Sequence, residues 1–324
     1  MKTIKVGSDF SGVGAFDFAI NRVAEEKGFK VENVFACDLD KYARKSYLAN
    51  HKEPGYYPHD VYERDVPEES LDIYMTSPPC QGFSMAGVRK SKDDDKRNIL
   101  FFNSLEFIQK NNPRHFIFEN VRGLMSHENG NTFQEWINLL SGKSVNGLPV
   151  LFPYDESVPY HIYHKVLNSK KYGIPQNRER VFIIGIRDDV DNNFRFPKEQ
   201  PLKIKLKDIL EGSVDNKYFL SNKLIKYFIE NTKKNIEKGN GFKFDPKSID
   251  DIFESKTLTT REGSQMDDNF IFESKYKNEI KTSIGQSYST CIDASYFKGF
   301  GVRKGKCRQV VNDCYKIRRL TPRE

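Results

Sequence analysis

Hydrophobic and polar positions follow regular periods through roughly the first 188 residues and lose that regularity afterwards. Residues 2–7 read as a short strand running into Gly-rich sequence. Residues 15–27 carry Phe16, Ala19, Ile20 and Val23 at helical spacing. A second strand is predicted over 31–36, a helix over 43–50 and a third strand over 71–76. An amphipathic helix follows over 100–110, a strand over 115–118, a helix over 132–140 and a strongly apolar strand over 181–186. Strands alternating with helices predict an α/β fold on a mostly parallel, doubly wound sheet. From 189 to 316 the chain is rich in Lys, Asn, Asp, Gly and Ser, with short aromatic-containing segments. This stretch reads as a second, smaller, irregular and β-rich domain, with Lys233, Lys234 and Lys238 on a solvated helix face. The expected organisation is 1–188, 189–316 and a return segment at 317–324.

Composition sharpens this picture in two respects. The chain has 324 residues, room for one large domain or two smaller ones. No run of 18 apolar residues occurs, and the N-terminus has no signal-peptide pattern, so no membrane association is expected. The cysteines are Cys37, Cys80, Cys291, Cys307 and Cys314; their odd number and spacing match no zinc signature and fit a reduced, cytoplasmic setting. No metal is expected. The formal net charge of +7 permits a polyanionic partner without demonstrating one.

Candidate chemistry clusters where strands end. Phe10-Ser11-Gly12-Val13-Gly14 follows the first strand and precedes a helix. In a doubly wound sheet ligands bind at that edge, where glycine lets them approach the backbone and helix N-termini offer free N–H groups. A tight strand–helix turn explains the same residues equally well. Asp38, after the second strand, is placed to accept from ribose hydroxyls, and Asp60 from an adenine amino group; both are also ordinary surface acids. A nicotinamide dinucleotide fold calls for GxGxxG, and Asp17 occupies the third small position. That shifts the reading toward another adenosyl cofactor.

The segment Thr76-Ser77-Pro78-Pro79-Cys80-Gln81-Gly82-Phe83-Ser84 places a thiol in the loop after the third strand. An arbitrary cysteine is more often a small buried hydrophobe, and a nucleophilic one needs a nearby cation or an activated electrophile. Cysteine can attack C6 of a pyrimidine, as methylation at C5 of cytosine requires. Glu119, at the end of the 115–118 strand, can bond N3 and the amino group of that base; a helix N-terminal acid is the plain alternative. Gln176, Arg178 and Arg180 share one side if 176–180 is extended, supplying cations for phosphate, for cytosine O2 and for the thiolate. A structural salt-bridge cluster is the alternative there.

Taken together these motifs resemble the bacterial-type cytosine-C5 DNA methyltransferase family. Phe10-Ser11-Gly12-Val13-Gly14 resembles its first cofactor motif, Pro79-Cys80-Gln81 its nucleophile motif and Glu119-Asn120-Val121 its ENV motif. Residues 172–181 resemble its QxRxR motif with flanks, and residues 318–324 its RxLTPRE motif. The resemblance implies a methyltransferase-type sheet, S-adenosylmethionine as methyl donor and double-stranded DNA as substrate, within a restriction–modification system or as a phage or orphan enzyme. It implies that Phe10, Ser11, Gly12, Val13, Gly14, Asp38, Leu39, Asp60, Val61, Pro79 and Leu100 line the cofactor site. It implies Cys80 as nucleophile, Glu119 at N3, Arg180 at O2 and Arg178 at the backbone or the loop. Where Asp38 stands the family usually has Glu.

For DNA, the segment 84–98, with Arg89 and Arg97 among its charges, reads as a loop that closes over the duplex with Ser84 at a phosphate; a solvated loop is the alternative for most of those charges. Within 189–316, two stretches resemble the family's Thr-Leu recognition element, 257–260 and 289–296. The second is favoured, giving Thr290, Cys291, Ile292, Arg303 and Lys304 as DNA contacts. The family continues past RxLTPRE with an Asn-containing motif and a returning helix. From that resemblance residues 1–324 alone are expected to be weakly active or inactive and to be restored by a C-terminal complementing polypeptide, the protein being otherwise monomeric. A tRNA-directed branch is disfavoured by the long region after 188, and an amino-methyltransferase by Cys80 following TSPP. A non-catalytic DNA-binding relic is opposed by the joint presence of Cys80, Glu119, Arg178 and Arg180.

Overall fold

The computed structural model describes residues 2–79, 99–190, 192–248, 252–258, 265–274 and 315–320. The chain forms two compact units: Met1–Leu167 with Glu179–Lys198, and Asn168–Arg178 with Glu199–Glu324. The expected catalytic segment 1–188 and the first unit share 1–167 and 179–188.

The first unit begins with β1 (Thr3–Asp9), α1 (Ala15–Lys27), β2 (Lys30–Cys37), α2 (Lys41–Asn50), β3 (Ile73–Thr76), α3 (Ile99–Asn111) and β4 (His115–Val121). A 3-10 stretch at Arg122–Gly130, α4 (Asn131–Leu140), and the short strands β5 (Ser144–Val145) and β6 (Leu148–Pro149) follow. Then come β7 (Tyr160–Asn168), β8 (Gln176–Asn177), which belongs to the second unit, and β9 (Glu179–Arg187). Among the described residues one eight-stranded sheet has the order β2-β1-β3-β4-β9-β7-β5-β6. β1 runs parallel to β2 and β3, and β3 to β4, while β9 is antiparallel to β4.

Aromatic side chains fill this core. Phe101 stacks on Trp136 with centroids 4.0 Å apart, and Tyr74 on Phe107 at 4.2 Å. Phe116 covers Gly185 so closely that a Cβ there would lie 2.2 Å from the ring. Beneath the C-terminal edge of the parallel strands lies a buried charge: Asp9 Oδ1 accepts from Arg64 Nε at 2.9 Å and Oδ2 from the Tyr74 hydroxyl at 2.6 Å. Burial pushes the Asp9 carboxyl up, opposed by the Arg64 cation and both hydrogen bonds. A buried charge without those partners would be costly.

Register brings the candidate residues to one level. Asp9 is aligned with Cys37 and with Thr76, and Thr76 with Phe118. The next residue along each chain is Phe10, Asp38, Ser77 and Glu119 respectively. Four neighbouring strands therefore release their site residues at the same edge, the C-terminal one.

In the second unit, α5 (Asn222–Glu237) is capped by Ser221, whose hydroxyl accepts from Leu224 N–H at 3.3 Å. Its Ile225, Phe228 and Ile229 pack with Phe244, Phe270, Phe272 and Ile317. Lys233 and Lys234 on this helix, and Lys238 at its end, face solvent. The strands are β10 (Lys247–Ser248), β11 (Ser255–Lys256), β12 (Phe270–Ser274) and β13 (Tyr315–Arg319). β10, β12 and β13 form one small sheet, and β11 pairs with β8. Arg318, the first residue of RxLTPRE, is fully buried in this unit.

Candidate active site

The turn after β1 is held in an unusual conformation. Gly12 and Gly14 have φ of +56° and +86°, and Phe10, which has no glycine's freedom, has φ of +54°. A left-handed non-glycine residue costs about 1–2 kcal/mol and persists where surroundings impose it. The Asp9–Arg64–Tyr74 cluster fixes the preceding residue, and Ser77 Oγ donates to the Phe10 carbonyl at 3.1 Å. Ser11 N–H reaches the Cys37 carbonyl at 2.9 Å. A Cβ on Gly14 would lie 2.3 Å from His51 Nε2, whereas one on Gly12 would meet nothing within 4 Å. The Gly12 side is open backbone; the Gly14 side is packed.

The acids frame that open side. Asp38 accepts from Gly12 N–H at 2.7 Å through Oδ2 and from Asp40 N–H at 2.8 Å through Oδ1. Asp60 Oδ1 accepts from Tyr62 N–H at 3.0 Å. Leu39 is 73% exposed and Val13 56%, unusual for apolar side chains, while Val61 is buried. A carboxylate pair can accept from ribose and adenine, and exposed Leu39 and Val13 can cover an apolar ring. The buried Ser11 hydroxyl has no hydrogen-bond partner within the protein. These residues fit an adenosyl cofactor.

The charged pair sits at the neighbouring strand ends. Glu119 Oε1 lies 2.9 Å from Arg180 Nε, both side chains being largely buried. Val121 is opposite Arg180 and Glu119 opposite Phe182, so the pair crosses the antiparallel ladder diagonally on one face. Arg180 also donates to the Glu179 carbonyl at 2.7 Å, and Arg122 pairs with Glu179 at 2.7 Å. Between them, Asn120 reaches the Pro78 carbonyl at 3.4 Å through Nδ2 and accepts from Val121 N–H at 2.8 Å. The ENV segment thus touches the chain leading to Cys80.

Sequence reasoning placed Phe10–Gly14, Asp38 and Asp60 around one edge, and Glu119 beside Arg180. Pro79 is exposed, and Leu100 packs against the core. Residues 176–180 are not one strand. β8 ends at Asn177 and pairs with β11, Arg178 falls in the second unit with its carbonyl accepting from Ser169 N–H at 3.1 Å, and β9 starts at Glu179. The alternation that put Gln176, Arg178 and Arg180 on one side is interrupted at Arg178. Cys80, Ser84, Arg89, Arg97, Thr290, Cys291, Ile292, Arg303 and Lys304 lie outside the described residues. Arg44, Arg64 and Ser77 were not anticipated; they act through backbone carbonyls or a buried carboxylate, and such partners leave no periodic signal. Among the described residues no three His, Cys, Asp or Glu converge as a metal site.

The model of the family described as C-5 cytosine-specific DNA methylase matches residues 4–324. The chain belongs to the C-5 cytosine-specific DNA methylase family. Relatives of the chain include the orphan methyltransferase M.Rho11sI of Bacillus phage rho11s, 34% identical over 74% of the chain and 50% of that protein. The type II methyltransferase M.Bsp6I of Bacillus sp. (strain RFL6) is 36% identical over 67% and 64%. M1.ScrFI of Lactococcus lactis subsp. cremoris is 33% identical over 84% and 64%. The chain thus spans between half and two thirds of these relatives' lengths. Its fold is also that of the DNMT2 of Spodoptera frugiperda, with a TM-score of 0.61 at 20% identity over 86% of this chain and 77% of that one. The Dnmt2 methyltransferase of S. pombe gives 0.58 at 17% over 87% and 79%.

Proposed function

We propose that the protein transfers a methyl group from S-adenosylmethionine to C5 of a cytosine swung out of duplex DNA. The observation that carries this reading is the Glu119–Arg180 pair, at the same sheet edge as the Phe10–Gly14 turn and next to the strand that leads to Cys80. Bound at that edge, S-adenosylmethionine supplies an electrophilic methyl group. Asp38 and Asp60 accept from its ribose and adenine, and Phe10, Leu39 and Val61 contribute apolar contact with Pro79 and Leu100.

The target base must leave the stack, because its C5 and C6 faces are covered within the duplex. The Cys80 thiolate forms a bond to C6. Glu119 holds N3 and the exocyclic amino group, stabilising the electron density that the attack pushes into the ring, and Arg180 bonds O2. Once C5 carries the methyl group, it loses its proton to a base and the C6–sulfur bond breaks, restoring both the aromatic ring and the thiolate. Arg178 contacts the backbone or the loop. Ser84, Arg89 and Arg97 reach phosphates, and Thr290, Cys291, Ile292, Arg303 and Lys304 lie in the target-reading region. The relatives' names support a restriction–modification or orphan role.

The test is methyl transfer with labelled donor to a duplex pool of randomised sequence, followed by digestion to nucleosides. The chain is assayed alone and with a polypeptide carrying the family's C-terminal segment. Label in 5-methyldeoxycytidine is expected. Label in an N-methylated base, or in tRNA and not DNA, would overturn the reading.

A further inference from the structure

We propose that Arg44 is a positioning residue for the nucleoside end of the methyl donor: its guanidinium sets the spacing between the Asp38 and Asp60 loops. The inference rests on the cofactor reading above. Arg44 lies one turn into α2, its N–H bonded to the Asp40 carbonyl at 3.0 Å. Nη1 donates to the Pro58 carbonyl at 2.6 Å and, more weakly, to the Asp38 carbonyl at 3.4 Å; Nη2 donates to the Tyr57 carbonyl at 2.8 Å. The guanidinium carbon stands 3.7 Å from the centre of the Tyr57 ring. One planar cation therefore ties together the residue that accepts from Gly12, the segment two residues ahead of Asp60, and an aromatic platform.

Asp38 in turn accepts from Gly12 N–H at 2.7 Å, so the Arg44 guanidinium reaches the glycine turn, the third segment that frames the open side of Gly12, through the Asp38 segment. Burial pushes the Tyr57 phenol up. The helix does not depend on Arg44 for its own anchoring. Asp40 Oδ1 caps it, accepting from Tyr42 and Ala43 N–H at 2.8 Å, and Tyr47 is buried. What Arg44 holds is loop against loop. Lysine carries the same charge but has neither the fork nor the plane to serve three carbonyls while lying on a ring.

The experiment is calorimetric titration of S-adenosylhomocysteine and S-adenosylmethionine into the DNA-free protein and its Arg44→Met, Arg44→Lys and Tyr57→Leu variants. Ligand-free melting temperatures and the split of KM from kcat are measured on the same samples. Removing charge-assisted hydrogen bonds is expected to weaken binding about 10- to 100-fold in Arg44→Met, with Arg44→Lys only partly restored. Tyr57→Leu should shift affinity in the same direction and decides the matter should Arg44→Met not fold. kcat at saturating donor should stay at the parent value while KM rises. Parent-like affinity in folded variants, with or without a lower melting temperature, makes Arg44 a structural brace and overturns the proposal. Parent protein that binds neither ligand overturns the cofactor reading itself, before any variant is compared.

Discussion

At the scale of single residues, the site is a set of charges whose partners decide what each can do. Glu119 is held against Arg180 across the β4–β9 ladder, so removing its carboxylate while keeping its shape isolates the role proposed for it at N3. Glu119→Gln is expected to lower kcat by about 100- to 10,000-fold with donor affinity unchanged, measured by steady-state methyl transfer. A fall in donor affinity with kcat retained would place Glu119 elsewhere in the cycle. Cys37 gives a contrast to Cys80. Burial pushes its thiol up to about 12, so at neutral pH it stays protonated. Iodoacetamide should leave Cys37 unlabelled in the native protein and label it after denaturation, read by peptide mass analysis.

Asp17 offers a pH test. It is buried, accepts from the Asn33 amide at 2.6 Å, and burial raises its carboxyl above the ordinary value of 3.8. A carboxyl raised on folding contributes stability that is present below its unfolded pKa and lost as pH rises through the folded one. Asp17→Asn keeps an acceptor for Asn33 and has no charge to bury. Its melting temperature should gain on the parent's as pH rises from about 4 toward neutrality, and a flat difference would show that the carboxylate is not penalised.

At the scale of elements, the β1–α1 turn makes the sharpest prediction. Gly12→Ala meets only open space, so its cost is the left-handed backbone, about 1–2 kcal/mol. Gly14→Ala adds a clash with His51 and Tyr47 and should destabilise more, measured by denaturant unfolding. Equal costs would mean the turn re-forms around either substitution. The elements most legible in the sequence were those with an uninterrupted period: 15–27, 31–36, 100–110, 132–140 and 181–186 each lie inside a helix or strand of the structure. β7 was not read, because His, Tyr and Lys alternate through Tyr160–Asn168 with no apolar run. α5 reads in the sequence only as a solvated face: Leu224, Ile225, Phe228 and Ile229 form a helical stripe in its first half, but the second half is dominated by Lys and Asn, which breaks the period. The break at Arg178 had no sequence signal either; it arises because β8 pairs with β11, a partner about 80 positions on, a separation that local period cannot report.

At the scale of the whole molecule, parallel register does what no single motif does. Asp9, Cys37, Thr76 and Phe118 share a level, and the residues that follow them carry the turn, the acid at Asp38, the lead toward Cys80 and the Glu119 carboxyl. Motif order along the chain made that convergence readable, but the diagonal Glu119–Arg180 contact depends on β9 entering antiparallel. Under the proposed function, the net charge of +7 should add a non-specific term to DNA affinity, which should fall linearly on a log–log plot against salt, with a slope of about −0.9 per phosphate neutralised. A slope near zero would exclude phosphate contacts as the source of binding.

The central claim is covalent attack by Cys80 on a DNA cytosine. Fluorine in place of the C5 hydrogen blocks the proton loss that releases the enzyme. The decisive measurement is incubation of the protein, a polypeptide carrying the family's C-terminal segment and S-adenosylmethionine with a randomised duplex containing 5-fluorocytosine, followed by denaturing electrophoresis. The account predicts a denaturant-stable protein–DNA adduct that Cys80→Ser abolishes. An adduct that survives Cys80→Ser, or methyl transfer to cytosine C5 in unmodified DNA with no adduct on the fluorinated duplex, would contradict it.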